Sequence, residues 1–237
     1  MKLFEFLAIL FFDIIDKYLH QKKIKKFLKK QISEIDTFVD VGSHKGTYTD
    51  LILNNFNPKK ILMFEPQNNI FKFLLKKYRN KKKINIYKFA ASDKSSYRFF
   101  NFNKHDLTSS FSTLDTNNSY LKLKAKLFST TSKGMILKKT KIKTVTLFNI
   151  FKNKKVKKID LIKIDTEGHE FQVLQGLKSK IHDVKYLLIE FHNDKIYLSY
   201  DPKKLHNFLI KNNFILLEKF KFPFTTWEDR LYLNKKN

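Results

Sequence analysis

From residue 36 onward, short apolar runs alternate with segments in which apolar residues recur every three or four positions. TFVDVG (37–42) reads as a buried strand and KGTYTDLILNNF as the helix after it. KKILMFE (59–65) is a second strand, and NIFKFLLKKYRN is a helix with Phe71, Leu74, Leu75 and Tyr78 on one face. INIYKFA (84–90) is a third strand. IDLIKID (159–165) is a fourth core strand, with a helix in HEFQVLQGLKSKI. VKYLLIEFH (184–192) is another strand, followed by a helix in DPKKLHNFLIKNN. The tail, NFILLEKF and RLYLNKK, reads as two strands joined through a turn near Pro223. Apolar strands alternating with helices predict a parallel sheet covered on both faces, and the terminal pair predicts an antiparallel edge.

Two segments depart from this rhythm. Residues 94–147 hold strand-like YRFFNFN and KIKTVTLF around HDLTSSFSTLDTNNSY, which is rich in Ser, Thr and Asn and reads as loop. Long polar insertions in α/β domains tend to form lids or substrate walls. Before residue 34, MKLFEFLAILFFDIIDKYLH places Leu3, Leu7, Leu10, Phe11, Ile14, Ile15 and Tyr18 at helical spacing, and KKIKKFLKK (22–30) follows. Glu5 and Asp13 interrupt or end the apolar run, no A-x-A cleavage site follows, and no uncharged apolar stretch reaches eighteen residues. The expectation is an amphipathic helix that either packs on the domain or lies on an anionic bilayer. The domain plan is therefore a helical extension over 1–33 and one domain over 34–237, with 94–147 as an insertion or lid.

Composition changes this picture in two places. The absence of cysteine excludes disulfides, a Cys nucleophile and thiolate zinc sites, and it suits a reducing compartment. A formal charge of +26 invites a polyanionic partner. Yet Arg79, Arg98 and Arg230 are the only arginines, and Asn, Ile and Phe are abundant as well. An AT-rich codon bias accounts for much of the lysine, and base-reading proteins favour the bidentate fork of Arg.

The strand ends carry the candidate chemistry. In open parallel sheets, ligands bind beyond the carboxyl ends of the strands. Asp40, Glu65, Ser92 with Asp93, and Asp165 would all project to that rim. In DVGSHKG, Gly42 permits close approach to a ligand and Gly46 lets the next helix pack nearby. Glu65 ends the second strand nineteen residues after Gly46, where an acid can accept both hydroxyls of a ribose. G-x-x-x-G alone is equally a tight strand-to-helix turn. A dinucleotide would want G-x-G-x-x-G to hold pyrophosphate, and Asp40 would repel it. S-adenosylmethionine has a ribose, an ammonium group and no phosphate, and so suits these acids better. Tyr-x-x-x-Lys, which a short-chain dehydrogenase would need, is a spacing that lysine clustering multiplies beyond the about two matches chance predicts, and Pro202 interrupts the one instance after a late strand.

DVGSHKG, the FEP of Phe64–Pro66, AASD (90–93), KIDTEGHE (163–170) with VLQG, and IEFH (189–192), in this order, resemble the FkbM-type methyltransferases over roughly 36–195. The resemblance implies a Rossmann-like class I fold, an α/β seven-stranded mostly parallel sheet in the order 3-2-1-4-5-7-6 with strand 7 antiparallel. It implies S-adenosylmethionine as cofactor and methyl transfer to a hydroxyl of a sugar or natural product. By matching positions, Asp40, Gly42 and Gly46 would surround the methionine end, Glu65 would hold the ribose, and Ala91 and Asp93 would lie near the adenine, with His44 and Pro66 as further candidate cofactor contacts beside them. Asp165 would face the transferring methyl. Three positions depart from the pattern: Ser43-His44 stands where Ala-Asn is common, Thr146-Leu147-Phe148 replaces Thr-Leu-Asp, and His169 stands where a small residue is usual.

A sugar hydroxyl is a poor nucleophile, so a base or a metal must help remove its proton. The catalytic candidates are Asp165, Glu167, Glu190 and His192; the last two lie two apart on a strand and share a face. Two of them also have a structural reading: Asp165 as a helix cap, His192 as a hydrogen-bonded core histidine. Ser109, Ser110 and Glu170 are candidate acceptor contacts, Glu170 being equally a first-turn acid favoured by the helix dipole. Carboxylates with a His could also hold Mg²⁺, although the spacing does not require a metal. The leading reading is an O-methyltransferase acting on a sugar, glycan or glycolipid-like acceptor. The rivals are an RNA ribose methyltransferase, motivated by the charge, and a non-catalytic membrane- or glycan-binding protein. The expected location is the cytoplasm, peripheral to the inner membrane surface if the N-terminal helix lies on lipid.

Overall fold

The computed structural model describes residues 7, 10–12, 14–103, 109–127, 130–223 and 225–236. Its strands, in chain order, are β1 (Thr37–Val41), β2 (Lys60–Phe64), β3 (Ile84–Tyr87), β4 (Ala90–Ala91), β5 (Tyr97–Asn103), β6 (Ile136–Val145), β7 (Ile159–Ile164), β8 (Val184–His192), β9 (Phe214–Lys221) and β10 (Trp227–Asn234). The helices are α1 (Gln21–Gln31), α2 (Thr47–Asn55), α3 (Asn68–Lys77), α4 (Ser119–Leu127), α5 (Leu147–Asn153), α6 (Glu170–Gln175) and α7 (Pro202–Lys211). Seven strands form the main sheet in the order β3-β2-β1-β7-β8-β10-β9. Counted within that sheet alone, this is the expected 3-2-1-4-5-7-6, and β10 runs antiparallel to both its neighbours. The reversal between β1 and β7 leaves a crevice at the carboxyl ends of these two strands.

Alternation along each strand divides the core into two layers. Val39, Val41, Ile162, Ile164, Leu187 and Ile189 face one way and meet Leu147 and Phe151 of α5, Leu174 of α6 and Leu205 of α7. Phe38, Leu161 and Leu188 face the other way and meet Ile24 and Leu28 of α1 and Ile52 of α2. Burial on both faces explains why the strands read as continuous apolar runs. It also makes the polar residues inside them, Asp40, Lys163, Glu190 and Asp229, conspicuous.

Residues 94–147 are more structured than their polar composition suggests. β5 and β6 pair antiparallel, and β4 extends this small sheet beside β6. INIYKFA therefore serves two sheets, since only Ile84–Tyr87 stays in the main one. KIKTVTLF ends its strand at Val145; Thr146 caps α5, its Oγ1 accepting from Asn149 N at 3.2 Å, so Leu147 and Phe148 are helical. The loop read over HDLTSSFSTLDTNNSY gives way to α4 at Ser119, and residues 104–108 lie outside the described ones. Leu114, Leu121, Ala125 and Met135 pack with Ile196 and Tyr197, which anchors the insertion over the far end of the crevice.

Of the N-terminal segment, Leu3 lies outside the described residues. A π-helical turn, Asp16–His20, leads into α1. Ile24 and Leu28 are fully buried, and the ring of Phe27 lies 5.6 Å from that of Phe220, so α1 packs on the domain. Leu7, Leu10, Phe11, Ile14, Tyr18 and Leu19 are instead 44% to 59% exposed. No helix among the described residues is long and apolar enough to cross a membrane.

Candidate active site

A cleft of about 1170 Å³ opens at the carboxyl ends of the central strands. At one end the β1–α2 turn folds back on β2: the amides of Gly42 and Ser43 both donate to Phe64 O, at 3.0 and 3.1 Å. Gly42 has φ +77°, and a Cβ there would stand 1.7 Å from Asp165 O. Its close approach is thus to the backbone after β7, which ties the β1 and β7 turns together. Gly46, φ +80°, lies under the ring of Tyr78, whose hydroxyl would be 2.4 Å from an added Cβ; it sets α2 against α3 and is not part of the cleft wall.

Glu65 is fixed by both adjoining turns. Its Oε2 accepts from His44 N at 3.0 Å and its Oε1 from Gln67 N at 2.8 Å. Each oxygen keeps a second acceptor position, and the carboxyl group lies on the cleft wall beside Pro66. Burial pushes its pKa up to about 7 against the pull of those two amides. Asp40 is also in the wall, with Oδ2 accepting from Thr49 Oγ1 at 2.6 Å, and burial raises it to about 6. His44, with φ +42°, and Ala91 line the same end. Asp93 does not: it pairs with Arg98 at 2.7 Å and accepts from Ser92 Oγ at 2.9 Å. These partners hold its carboxyl below the ordinary range despite partial burial. Because Ser92 gives its one proton to Asp93, the 3.0 Å contact of Ser92 Oγ with His169 makes His169 Nε2 the donor. Burial lowers His169 to about 4, consistent with a neutral ring.

The other end gathers Asp165, Glu167, Glu190 and His192, all lining the cleft. His192 Nε2 lies 3.2 Å from Glu190 Oε2 and 4.0 Å from Glu167 Oε2. Tyr197 donates to Glu167 Oε2, and its ring stands edge-on to His192 at 4.9 Å. Burial disfavours a charged imidazole, but Glu190 and Glu167 outweigh it and hold His192 up at about 10. Burial, with the charge of Asp165, also pushes Glu190 upward. The pair therefore keeps a proton at neutral pH, and His192 is not poised as a base. Ser109 lines the cleft and its Oγ accepts from Asn103 N at 3.0 Å.

Two acceptor-contact expectations are corrected. Ser110 is buried, its hydroxyl bonded to Thr166 O at 3.1 Å and Glu167 O at 2.7 Å, so it pins the insertion to the turn after β7. Glu170 is fully buried and its Oε1 accepts from Thr166 N, Thr166 Oγ1 and Gly168 N, at 2.9, 3.1 and 3.1 Å. It shapes the turn that carries Asp165 and Glu167 and does not reach the cleft wall.

Behind Asp165 lies a network that spacing alone did not reveal. Lys163, 1% exposed at its side chain, binds Asp229 and stands 3.6 Å from Asp165 Oδ2. Asp229 also accepts from Tyr48 OH at 2.5 Å and contacts His20 Nε2 at 2.9 Å. Burial opposes both charges, yet each partner wins: Asp229 is driven well below the carboxylate range and Lys163 well above the ammonium range. Asp229 faces Glu190 across the β8–β10 pair. The legible signals were a lysine inside an apolar strand, IDLIKI, and adjacent acids in WEDRLYL.

A parallel sheet with this strand order and one antiparallel strand, over which acids from β1, β2 and β7 share one cleft, defines the Rossmann-like methyltransferase class. A family model, the Methyltransferase FkbM domain, matches residues 40–216, and the chain belongs to that family. It is 23% identical over 189 residues to the hexuronic acid methyltransferase AglP of Haloferax volcanii, covering 80% of this chain and 67% of that protein. The FkbM methyltransferase structure of Methylobacillus flagellatus KT superimposes with a TM-score of 0.55 at 16% identity, covering 84% of this chain and 43% of that one. TrmK of M. capricolum, solved with S-adenosylhomocysteine, gives a TM-score of 0.50 at 12% identity, covering 90% and 68%.

Proposed function

We propose that the protein is an S-adenosylmethionine-dependent O-methyltransferase whose acceptor is a sugar hydroxyl on an anionic glycan or glycolipid of the hexuronic acid kind. The observation that carries this reading is Glu65: a buried carboxylate, held by two backbone amides, with its remaining acceptor positions on a cleft that runs on to Asp165. The donor set fits the cofactor. Glu65 accepts the ribose hydroxyls, Asp40 offers a carboxylate to the ammonium end, and Ala91 gives an apolar wall for the adenine. Bound S-adenosylmethionine supplies an electrophilic methyl group on a sulfonium.

The chain's part is to align the acceptor oxygen, exclude water and receive a proton. Asp165 is the most accessible of the four acidic-end groups, at 31% side-chain exposure against 17% for Glu167, 8% for Glu190 and 4% for His192. It takes the proton, positioned by the Lys163 ammonium behind it. Tyr197 and the cluster around Leu121 cover this end and limit water. Lys17, Lys22, Lys25 and Lys45 line the outer cleft, and their charge complements a carboxylate-bearing sugar. The exposed apolar side chains from Leu7 to Leu19, followed by the lysines of α1, suit contact with an anionic cytoplasmic membrane surface. That surface would present a lipid-linked acceptor.

The test is methyl transfer. Incubation with methyl-labelled S-adenosylmethionine and a hexuronic-acid-bearing glycan yields an acceptor heavier by one methyl group. Label passing to RNA and not to any sugar would overturn the acceptor assignment.

A further inference from the structure

Among the described residues, Glu167, Glu190 and His192 place one potential ligand atom each within 4.8 Å of the others. A close group of acids is not in itself a metal site. Here, however, the atoms that meet are buried and misaligned for bonding to each other. Glu190 is 6% exposed and His192 is 4% exposed. Glu190 Oε2 and His192 Nε2 stand 3.2 Å apart, yet neither has an aligned hydrogen bond among the described residues. They lie side by side and both line the cleft. Their ion pair leaves both atoms without an aligned hydrogen bond, and a divalent ion that displaces the proton this pair holds at neutral pH would meet both.

We infer that Glu167, Glu190 and His192 bind one divalent first-row cation at the acceptor end of the cleft. Donors held about 2.1 Å from one ion stand roughly 3.0–3.5 Å apart at tetrahedral or octahedral angles. The Glu190–His192 separation already meets this, and Glu167 Oε2, 4.0 Å from His192 Nε2, stands slightly beyond it. One imidazole with two carboxylates selects Mn²⁺ or Zn²⁺ over Mg²⁺, which prefers oxygen ligands and retained water. An outer shell is in place: Tyr197 donates to Glu167, and the rings of Tyr197 and Tyr200 stand edge-on to His192 at 4.9 and 5.5 Å. The nearby Lys163 charge is already met by Asp229 and Asp165 and does not oppose the ion. The ion's open positions would take vicinal oxygens of the acceptor. That use rests on the methyl-transfer reading; binding of the ion does not.

The experiment is titration of the full chain with Mn²⁺, followed by loss of the free-ion electron paramagnetic resonance signal, with Zn²⁺ as competitor. One Mn²⁺ per chain is expected, displaced by Zn²⁺. Glu190→Gln, His192→Gln and the more exposed Glu167→Gln should each weaken it by roughly tenfold or more. S-adenosylhomocysteine titration of each variant checks that the cleft remains folded. Absence of Mn²⁺ and Zn²⁺ binding to wild-type protein would overturn the inference and leave a proton shared by Glu190 and His192. Binding that all three variants retain equally would overturn it too. Metal loss in a variant that still binds S-adenosylhomocysteine separates failure of this site from failure of the methyltransferase reading.

Discussion

Replacing Asp229 by Asn removes the charge that neutralises Lys163 and leaves every neighbouring atom nearly in place. Both side chains are 1% exposed, so the lysine cannot recover its hydration by a small rearrangement. Its remaining anionic partner is Asp165, 3.6 Å away, while Tyr48 offers its ring face at 4.4 Å. Breaking one partner of a buried pair costs about 3–5 kcal/mol. That is a large part of a typical stability of about 5–15 kcal/mol. For a chain of this size, about 2–4 °C of melting temperature accompanies each kcal/mol, so the variant should melt roughly 6–20 °C lower.

The pH dependence carries a sign. In the wild type, Asp229 is depressed, so its stabilisation is present above the ordinary carboxylate pKa and is lost only in strong acid. Lys163 is raised, so its stabilisation is present below the ordinary lysine pKa and is lost only in strong base. The pair therefore contributes a constant amount between pH 6 and 9. In the variant, burial depresses Lys163, and a depressed lysine gains stability as pH rises through its folded pKa. The melting difference should shrink from pH 6 toward pH 10 by differential scanning calorimetry. The double variant Lys163→Met, Asp229→Leu should recover most of the loss. A shift below about 2 °C, or a difference that widens with pH, would refute the assignment of Lys163 and Asp229 as a buried ion pair.

Other perturbations separate the parts of the site. Glu65→Ala should weaken S-adenosylhomocysteine binding by about 1.5–3 kcal/mol, roughly 10- to 150-fold, in calorimetric titration, since hydrogen bonds to a charged acceptor are lost. Asp165→Asn should lower turnover far more than cofactor affinity, and equal losses would make it a cofactor ligand. Replacing Leu10, Phe11 and Ile14 with Ser should abolish sedimentation with vesicles of anionic lipid while leaving the melting temperature unchanged. Loss of folding in that variant would show that these side chains pack on the protein.

The strands were legible because burial on both faces makes them apolar throughout, and their acids stood out at the ends for the same reason. Asp40, Glu65 and Asp165 reach one cleft because parallel strands share a carboxyl edge, a consequence of topology that local sequence can express. Partners across the chain could not be read so. His20 meets Asp229 over a separation of 209 residues and Tyr48 meets it over 181, and no periodicity links them. Ser110 and Glu170 looked like cleft groups by residue type and proved to be turn supports, because the Ser110 hydroxyl and Glu170 Oε1 are engaged by the turn after β7. Asp93 stands at the expected strand end, and Arg98, five residues on, draws it aside. YRFFNFN and KIKTVTLF read as strands, but lysines and exposed aromatics leave no clean alternation from which their pairing with each other and with Ala90–Ala91 could be read.

The central claim is that the cleft between Glu65 and Asp165 binds the methyl donor. Calorimetric titration of the full chain with S-adenosylhomocysteine tests it most directly. A single saturable site that weakens in Glu65→Ala is the predicted result. A correctly folded protein that takes up no S-adenosylhomocysteine would contradict the account.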